Sequence, residues 1–160
     1  MDPLIVIEKN QELALEHIDE ILVALKKWKR WDYDANGKSD FPLCDLKKLV
    51  DTRFVNGEKL ELISERLAKS DLRYSDPVEI DGYYFTLTHW EKSWPSSGMV
   101  KECQILAIPA ILGKTGSCSF YINTENQAYF SNFKLDKRVP KWPDQRQLDA
   151  GVWVPFERQL

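Results

Sequence analysis

The stretch WDYDANGKSDF, residues 31–41, holds the side chains of this sequence that are best suited to binding a cation. Oxygen-bearing residues alternate there, and Gly37 follows them where a calcium loop needs a sharp bend. The candidate ligands are Asp32, Asp34, Asn36, Asp40 and the backbone carbonyl of Lys38. Leu43 occupies the position of the bidentate glutamate that closes such a loop. The pattern predicts a weak calcium site, with a solvated turn as the alternative.

The segment ILGKTGS, residues 111–117, matches the end of a phosphate-binding loop but not its beginning. That motif requires a glycine five residues before Gly113, where this chain has Ile108, and a helix after the loop. Residues 117–123 instead have the aromatic and β-branched composition of a strand. We therefore predict that the chain binds no nucleotide and that Gly113 and Gly116 are hairpin glycines.

The cysteines and histidines do not form a recognisable catalytic or metal-binding motif. Three cysteines without metal-ligand spacing exclude a disulfide framework and a zinc ribbon. We predict that Cys103 and Cys118 are buried, unreactive thiols on one face of a hairpin, and a disulfide from Cys44 to one of them stays open. His17 and His89 have no nucleophile motif with them, so a catalytic triad has no support. The sequence thus predicts a protein that is not an enzyme.

The bulk properties favour one domain, residues 1–160, with protein partners. The net charge of -3 and the mixed signs among the 29% charged residues argue against nucleic acid as a partner. No apolar run approaches the roughly 20 residues that cross a bilayer, and residues 1–8 lack the basic start of a signal peptide. We expect either a cytoplasmic protein or an envelope protein whose targeting segment is missing from this sequence.

Apolar residues at helical spacing predict a long amphipathic helix over residues 9–30. This set includes Ala14, Ile18, Ile21, Leu25 and Trp28. Acidic residues lie early in the segment and basic residues lie late, an order that complements the helix dipole. The aspartate-rich loop and short helices follow over residues 32–76.

Strand and turn chemistry begins near Pro77 and predicts three or four antiparallel strands within residues 77–133. The tail, residues 134–160, is rich in proline and tryptophan and is expected to be irregular. Because the helix and the sheet each have one apolar face to bury, we predict an α+β fold. In it the long N-terminal amphipathic helix packs on a small antiparallel β-meander.

Six tryptophans lie along the chain, at positions 28, 31, 90, 94, 142 and 153. Aromatic residues are enriched at protein interfaces, so they are candidates for a binding surface. The preferred interpretation is that they fasten irregular segments to the core.

Three stretches together resemble the globular part of bacterial type IV pilin-like and pseudopilin-like proteins. They are DYDANGKSDFPLCDLKKL (32–49), DGYYFTLTHWE (81–91) and LAIPAILGKTGSCSFYINTENQAYF (106–130). The likeness is greatest to envelope families of unknown function, and it covers most of residues 9–133. It implies a long helix leading into a meander, a location in the cell envelope and a membrane contact made only through an apolar N-terminal helix. The leader, processing site and apolar half-helix of such precursors are not in this sequence.

The resemblance makes a non-enzymatic, pilin-like structural or interaction domain of the bacterial cell envelope the leading hypothesis. One alternative is a cytoplasmic α+β interaction protein, such as a toxin antidote or an adaptor, that binds through the acidic helix face and the tryptophans. The other is a small enzyme with scattered carboxylates, which no motif supports.

Overall fold

The computed structural model describes residues 2–31, 45–51, 53, 56–88, 102–135 and 143–158. The helices are α1 (Pro3–Trp31), α2 (Lys48–Asp51), α3 (Glu65–Ala68) and α4 (Gln145–Asp149). The strands are β1 (Tyr83–Thr88), β2 (Gln104–Pro109), β3 (Ser119–Asn123), β4 (Ala128–Ser131) and β5 (Val154–Pro155).

Helix α1 begins six residues earlier than the apolar spacing predicts, at Pro3 rather than Lys9. Asp2 provides the start, because its carboxylate accepts a hydrogen bond from the backbone N–H of Leu4 at 3.0 Å. Proline at the first helical position adds a preset backbone angle. The predicted apolar stripe is the buried face of the helix, with Ile18, Ile21 and Leu25 fully inaccessible to solvent.

The sheet is an antiparallel meander with the strands in chain order, β1-β2-β3-β4-β5. One row of side chains crosses it, from Phe85 through Ala107 and Phe120 to Phe130. Phe85, Ala107 and Phe120 belong to the same core as the buried stripe of α1, and Phe130 packs against that core. The predicted packing of the long helix on an antiparallel sheet is therefore confirmed.

The other face of the sheet carries a second, smaller apolar cluster. Leu106, Ile108, Tyr121 and Trp153 are its buried members, and the Tyr121 and Trp153 rings lie 5.5 Å apart. This cluster explains why β2 and β3 are buried at every position rather than at alternate ones.

The described part of the tail, residues 143–158, is more regular than its composition predicts. Asp144 caps α4 by accepting from the backbone N–H of Gln147, whose own side chain accepts from the backbone N–H of Asp144. Strand β5 then pairs with β4, Val154 lying opposite Phe130. Sequence periodicity misses a two-residue strand because its position is set by the neighbouring strand. The Asp-x-x-Gln spacing, in contrast, is a signal that could have located α4.

Candidate functional site

The polar side chains that α1 turns toward the sheet make contacts that join the helix to two turns. We call this region the helix–turn junction, formed by Asn10, Gln11 and His17 of α1 with the turns at residues 80–83 and 111–118. It contains His17 and Cys118, two of the residues that the sequence singles out.

Asn10 joins α1 to both turns. Its side-chain amide donates to the carbonyl of Thr115 at 2.9 Å, across 105 residues of chain. Gly82, at a φ of +81°, lies directly beneath, and a Cβ there would stand only 2.6 Å from Asn10 Nδ2. Glycine at this position therefore gives the turn its backbone conformation and lets the helix come close.

His17 bridges α1 to the turn that opens β1. Its Nε2 lies 2.7 Å from Asp81 Oδ2, its Nδ1 lies 3.8 Å from Glu20 Oε2, and its ring meets Phe85 edge-on. Asp81 has a φ of +47°, and Ile80 and Tyr83 on either side of the turn exchange two backbone hydrogen bonds. An aspartate suits this left-handed position in a two-residue hairpin. The histidine thus connects two elements 64 residues apart.

Cys118 is buried and hydrogen-bonded. Gln11 Nε2 donates to its Sγ at 3.0 Å, and the Tyr83 hydroxyl donates to its backbone carbonyl at 2.8 Å. Burial raises the pKa of the Cys118 thiol, which keeps it protonated and a poor nucleophile at neutral pH. Cys103 is fully buried in the same core. Both thiols therefore lie where the sequence predicts them.

Residues 111–116 form the turn that joins β2 to β3. The backbone N–H groups of Lys114 and Thr115 both donate to the carbonyl of Ile111, and Gly113 has a φ of +82°. The hairpin interpretation of Gly113 is confirmed. These two N–H groups therefore point into the turn, and a strand rather than a helix follows it.

Asp71 is a buried carboxylate that the sequence analysis misses. It accepts hydrogen bonds from the backbone N–H groups of Leu46 and Arg73, at 2.9 and 3.0 Å, and from the Thr86 hydroxyl at 2.8 Å. Burial raises the pKa of Asp71, against the opposing effect of these donors. Its partners lie 25, 2 and 15 residues away, so no sequence spacing reveals the cluster. Its position fastens the segment that leads into α2 to the edge of the sheet.

A second buried polar group links β1, β2 and β3. The Thr88 hydroxyl lies 2.9 Å from Gln104 Oε1 and 2.7 Å from the Tyr121 hydroxyl. Desolvation raises the pKa of Tyr121, so its hydroxyl remains neutral and available to this pair. The three side chains satisfy one another, which is the arrangement expected of a structural network.

The end of the described chain lies against α1 and beside a groove of about 400 Å³ at the β4–β5 edge. Arg158 lines this groove, its side chain is only 8% exposed, and it forms an ion pair with Asp19. Its Nη1 is buried and has no hydrogen-bond partner among the residues that the structure describes. Because Asp19 already balances the guanidinium charge, we assign this contact to fastening the tail.

The predicted calcium ligands lie outside the residues that the structure describes, as do Cys44, His89 and the tryptophans at 90, 94 and 142. The calcium site therefore stays a prediction. Within the described ranges, no group of three or more acidic, histidine or cysteine side chains is arranged to hold a metal ion. Trp28 and Trp153 are each 1% exposed, so these two serve the core rather than a surface.

No helix in the described part of the chain combines the length and the apolar character that a membrane crossing requires. Comparisons with known proteins find no matching protein-family model, no matching curated protein and no matching solved structure.

Proposed function

We propose that this chain is the globular domain of a pilin-like protein of the bacterial cell envelope, acting in assembly or in binding other proteins. The order of elements supports this, because a 29-residue helix precedes the meander and packs along one of its faces. Of the three stretches that resemble pilin-like proteins, the described part of the second lies on β1 and the turn before it, and the third spans the β2–β3–β4 meander.

The observation that carries the proposal is that the side chains able to react chemically make structural contacts instead. His17 and Cys118 join α1 to the turns, and Asp71 and Tyr121 hold strand β1 to its neighbours. Each of these groups is occupied by a contact that the fold needs. Polar side chains that are hydrogen-bonded within the fold make a domain rigid. A rigid domain is suited to presenting a fixed surface to other proteins.

The first turn of α1 supports the envelope location. Leu4 is 66% exposed and Ile5 is 57% exposed, whereas the core-facing residues from Ala14 onward are buried. In the proposal, an apolar anchor that precedes the capped end of α1 holds the domain to the membrane, and these side chains lie at its boundary.

The test is the location of the natural protein in its own cells. Cells are separated into cytosolic, membrane and mechanically sheared surface fractions, and the protein is quantified by immunoblot beside a cytosolic enzyme and an envelope marker. We expect it with the envelope marker or in the sheared fraction. We also expect protease added to intact cells to digest it while leaving the cytosolic enzyme whole.

Recovery with the cytosolic enzyme, protected from protease until the cells are lysed, would overturn the proposal. That outcome would favour a cytoplasmic antidote or adaptor.

A further inference from the structure

The solvent-facing side of α1 carries an ordered stripe of charge. Its members recur every three or four residues, directly opposite the buried stripe, and are exposed. We call this set the outer stripe, and it consists of Glu12, Glu16, Asp19, Val23, Lys26, Lys27 and Arg30. Val23 is an apolar residue in the middle of it and is 52% exposed.

Charges of opposite sign lie at equal distances on either side of Val23. Asp19 lies four residues before it and Lys27 four residues after it. Glu20, beside the stripe, lies three residues before Val23, and Lys26 lies three after. Glu16 and Arg30, seven residues away on either side, follow the same order.

We propose that two copies of this chain pair through their outer stripes, with the α1 helices antiparallel and Val23 on the twofold axis. A twofold axis through Val23 sets each residue before it level with the residue equally far after it in the partner copy. At about 100° of rotation per residue, Asp19 and Lys26 lie on one flank of Val23 and Glu20 and Lys27 lie on the other. Asp19 then faces Lys26 of the second copy, and Glu20 faces Lys27. Both contacts occur twice, around a central contact between the two Val23 side chains.

Asp19 of the outer stripe and Glu20 beside it are exposed enough to contact a second copy. Asp19 already forms an ion pair with Arg158. The Glu20 carboxylate accepts a hydrogen bond from the backbone N–H of Ser64 at 3.2 Å. Their side chains are nevertheless 55% and 40% exposed, and a carboxylate accepts several hydrogen bonds. The proposal depends on the contacts made at positions 19, 20, 23, 26 and 27.

The two edges of the sheet are less suited to pairing. Along β1, Phe85 exchanges backbone hydrogen bonds with Ser70 and Leu72, and Arg73 Nη2 donates to the carbonyl of Leu87 at 2.7 Å. Strand β5 has only two residues, and Pro155 has no N–H to donate. The outer stripe is thus the extended surface of the described chain with self-complementary charge.

The proposal goes beyond the proposed function, because pairing is a property of the purified chain wherever the protein resides. Cysteine cross-linking under mild oxidation tests it. In an antiparallel pair Val23→Cys places two thiols together at the axis, whereas Glu16→Cys separates them by about 20 Å along the helices. We expect at least tenfold more covalent dimer from Val23→Cys than from Glu16→Cys or from the unaltered chain, whose own cysteines set the background.

Equal cross-linking of both variants would indicate parallel helices and overturn the proposal, as would a background level from both. Both substitutions are at exposed positions, and circular dichroism confirms that each variant is folded.

Sedimentation equilibrium provides an independent test. At low salt we expect the unaltered chain to approach twice its 18.7 kDa mass as concentration rises, and to return to the monomer in 0.5 M salt. Lys26→Glu with Lys27→Glu should weaken dimerisation at least tenfold, and Lys114→Glu in the exposed β2–β3 turn should leave it unchanged. A monomer at millimolar concentration in low salt would overturn the proposal.

Discussion

At Gly116, the lack of a side chain determines how closely the β2–β3 turn approaches Tyr83. A Cβ on Gly116 would lie 2.2 Å from the Tyr83 hydroxyl oxygen, whereas a Cβ on Gly113 would meet no described atom within 4 Å. Gly116→Ala must therefore displace a buried ring that also holds Cys118, and we expect a loss of about 2–3 kcal/mol in the free energy of unfolding. For Gly113→Ala we expect the free energy of unfolding to fall by only about 1 kcal/mol, because alanine is disfavoured at a positive φ. Urea denaturation of both variants measures the difference, and equal losses would contradict this account of Gly116.

Asp81 combines a bond to His17 with a left-handed backbone conformation. Asparagine tolerates positive φ and can still accept the hydrogen bond, so Asp81→Asn should cost only about 0.5–1 kcal/mol of stability. Valine loses the bond and is strained at a φ of +47°, so Asp81→Val should cost about 2 kcal/mol more. Chemical denaturation of the pair separates the two contributions. A valine variant as stable as the asparagine variant would show that the turn relaxes freely.

Asp71 should make stability depend on pH in a defined direction. Burial raises the folded-state pKa of Asp71 above its ordinary value of 3.8, so the folded protein binds this proton more tightly than the unfolded chain. The Asp71 contribution to stability is therefore greatest below that value and is lost as the pH rises through the raised pKa. We expect the stability of the unaltered protein, relative to Asp71→Asn, to fall as the pH rises above about 4. Denaturation of both proteins at intervals from pH 4 to pH 7 measures this difference. A relative stability that rises with pH would mean that the three hydrogen-bond donors outweigh burial.

The sequence indicated that Cys103 and Cys118 lie on the buried face of the hairpin, because successive side chains along a strand point to alternate faces of the sheet. They did not indicate that His17 meets Asp81 or that Asp71 meets Leu46, since those partners are distant in the chain. Such pairs depend on the three-dimensional path, which the local spacing of residues does not contain.

Among the elements, those with a strong internal period were predictable. Helix α1 and strands β1 to β4 each have an apolar pattern in the sequence, and the residues of that pattern are largely buried in the fold. The extension of α1 to Pro3 depended on the Asp2 cap, and α4 and β5 depended on a capping box and a strand partner. Short elements of this kind have too few residues for a period to be visible.

The segment between α1 and α2 carries the calcium prediction. Its two ends are held, because Trp28 is buried before it and Leu46 is bonded to Asp71 after it. A ligand that binds only the folded state raises stability with the logarithm of its concentration over the dissociation constant. We expect a weak site, with a constant on the order of 10⁻⁴ to 10⁻³ M, so millimolar calcium should raise the melting temperature. Asp32→Ala with Asp34→Ala should abolish that rise, and an equal response in both proteins would reduce the loop to a solvated turn.

For the molecule as a whole, α1 has one face committed to the sheet and one face exposed as the outer stripe. Polar contacts at Asn10, Gln11 and His17 fix the helix against two turns, so the exposed face is presented in one orientation. The α+β fold followed from the sequence because helix and strand periods lie in separate halves of the chain. The sequence already indicated the acidic helix face as a candidate binding surface, but the exposure of Val23 and the contact of Asp19 with Arg158 required the structure.

We propose that this domain acts by binding proteins in the cell envelope, and site-specific photo-cross-linking in its own cells tests this role directly. A benzophenone side chain is placed at Val23, and in a matched variant at Lys114. We predict covalent adducts from position 23 in the envelope fraction, and few or none from position 114. Adducts of two copies would also support pairing through the outer stripe, and adducts with other envelope proteins alone would overturn that pairing but not the envelope role. A folded protein that forms no adduct from position 23, or forms adducts only in the cytosolic fraction, would contradict a binding role in the envelope.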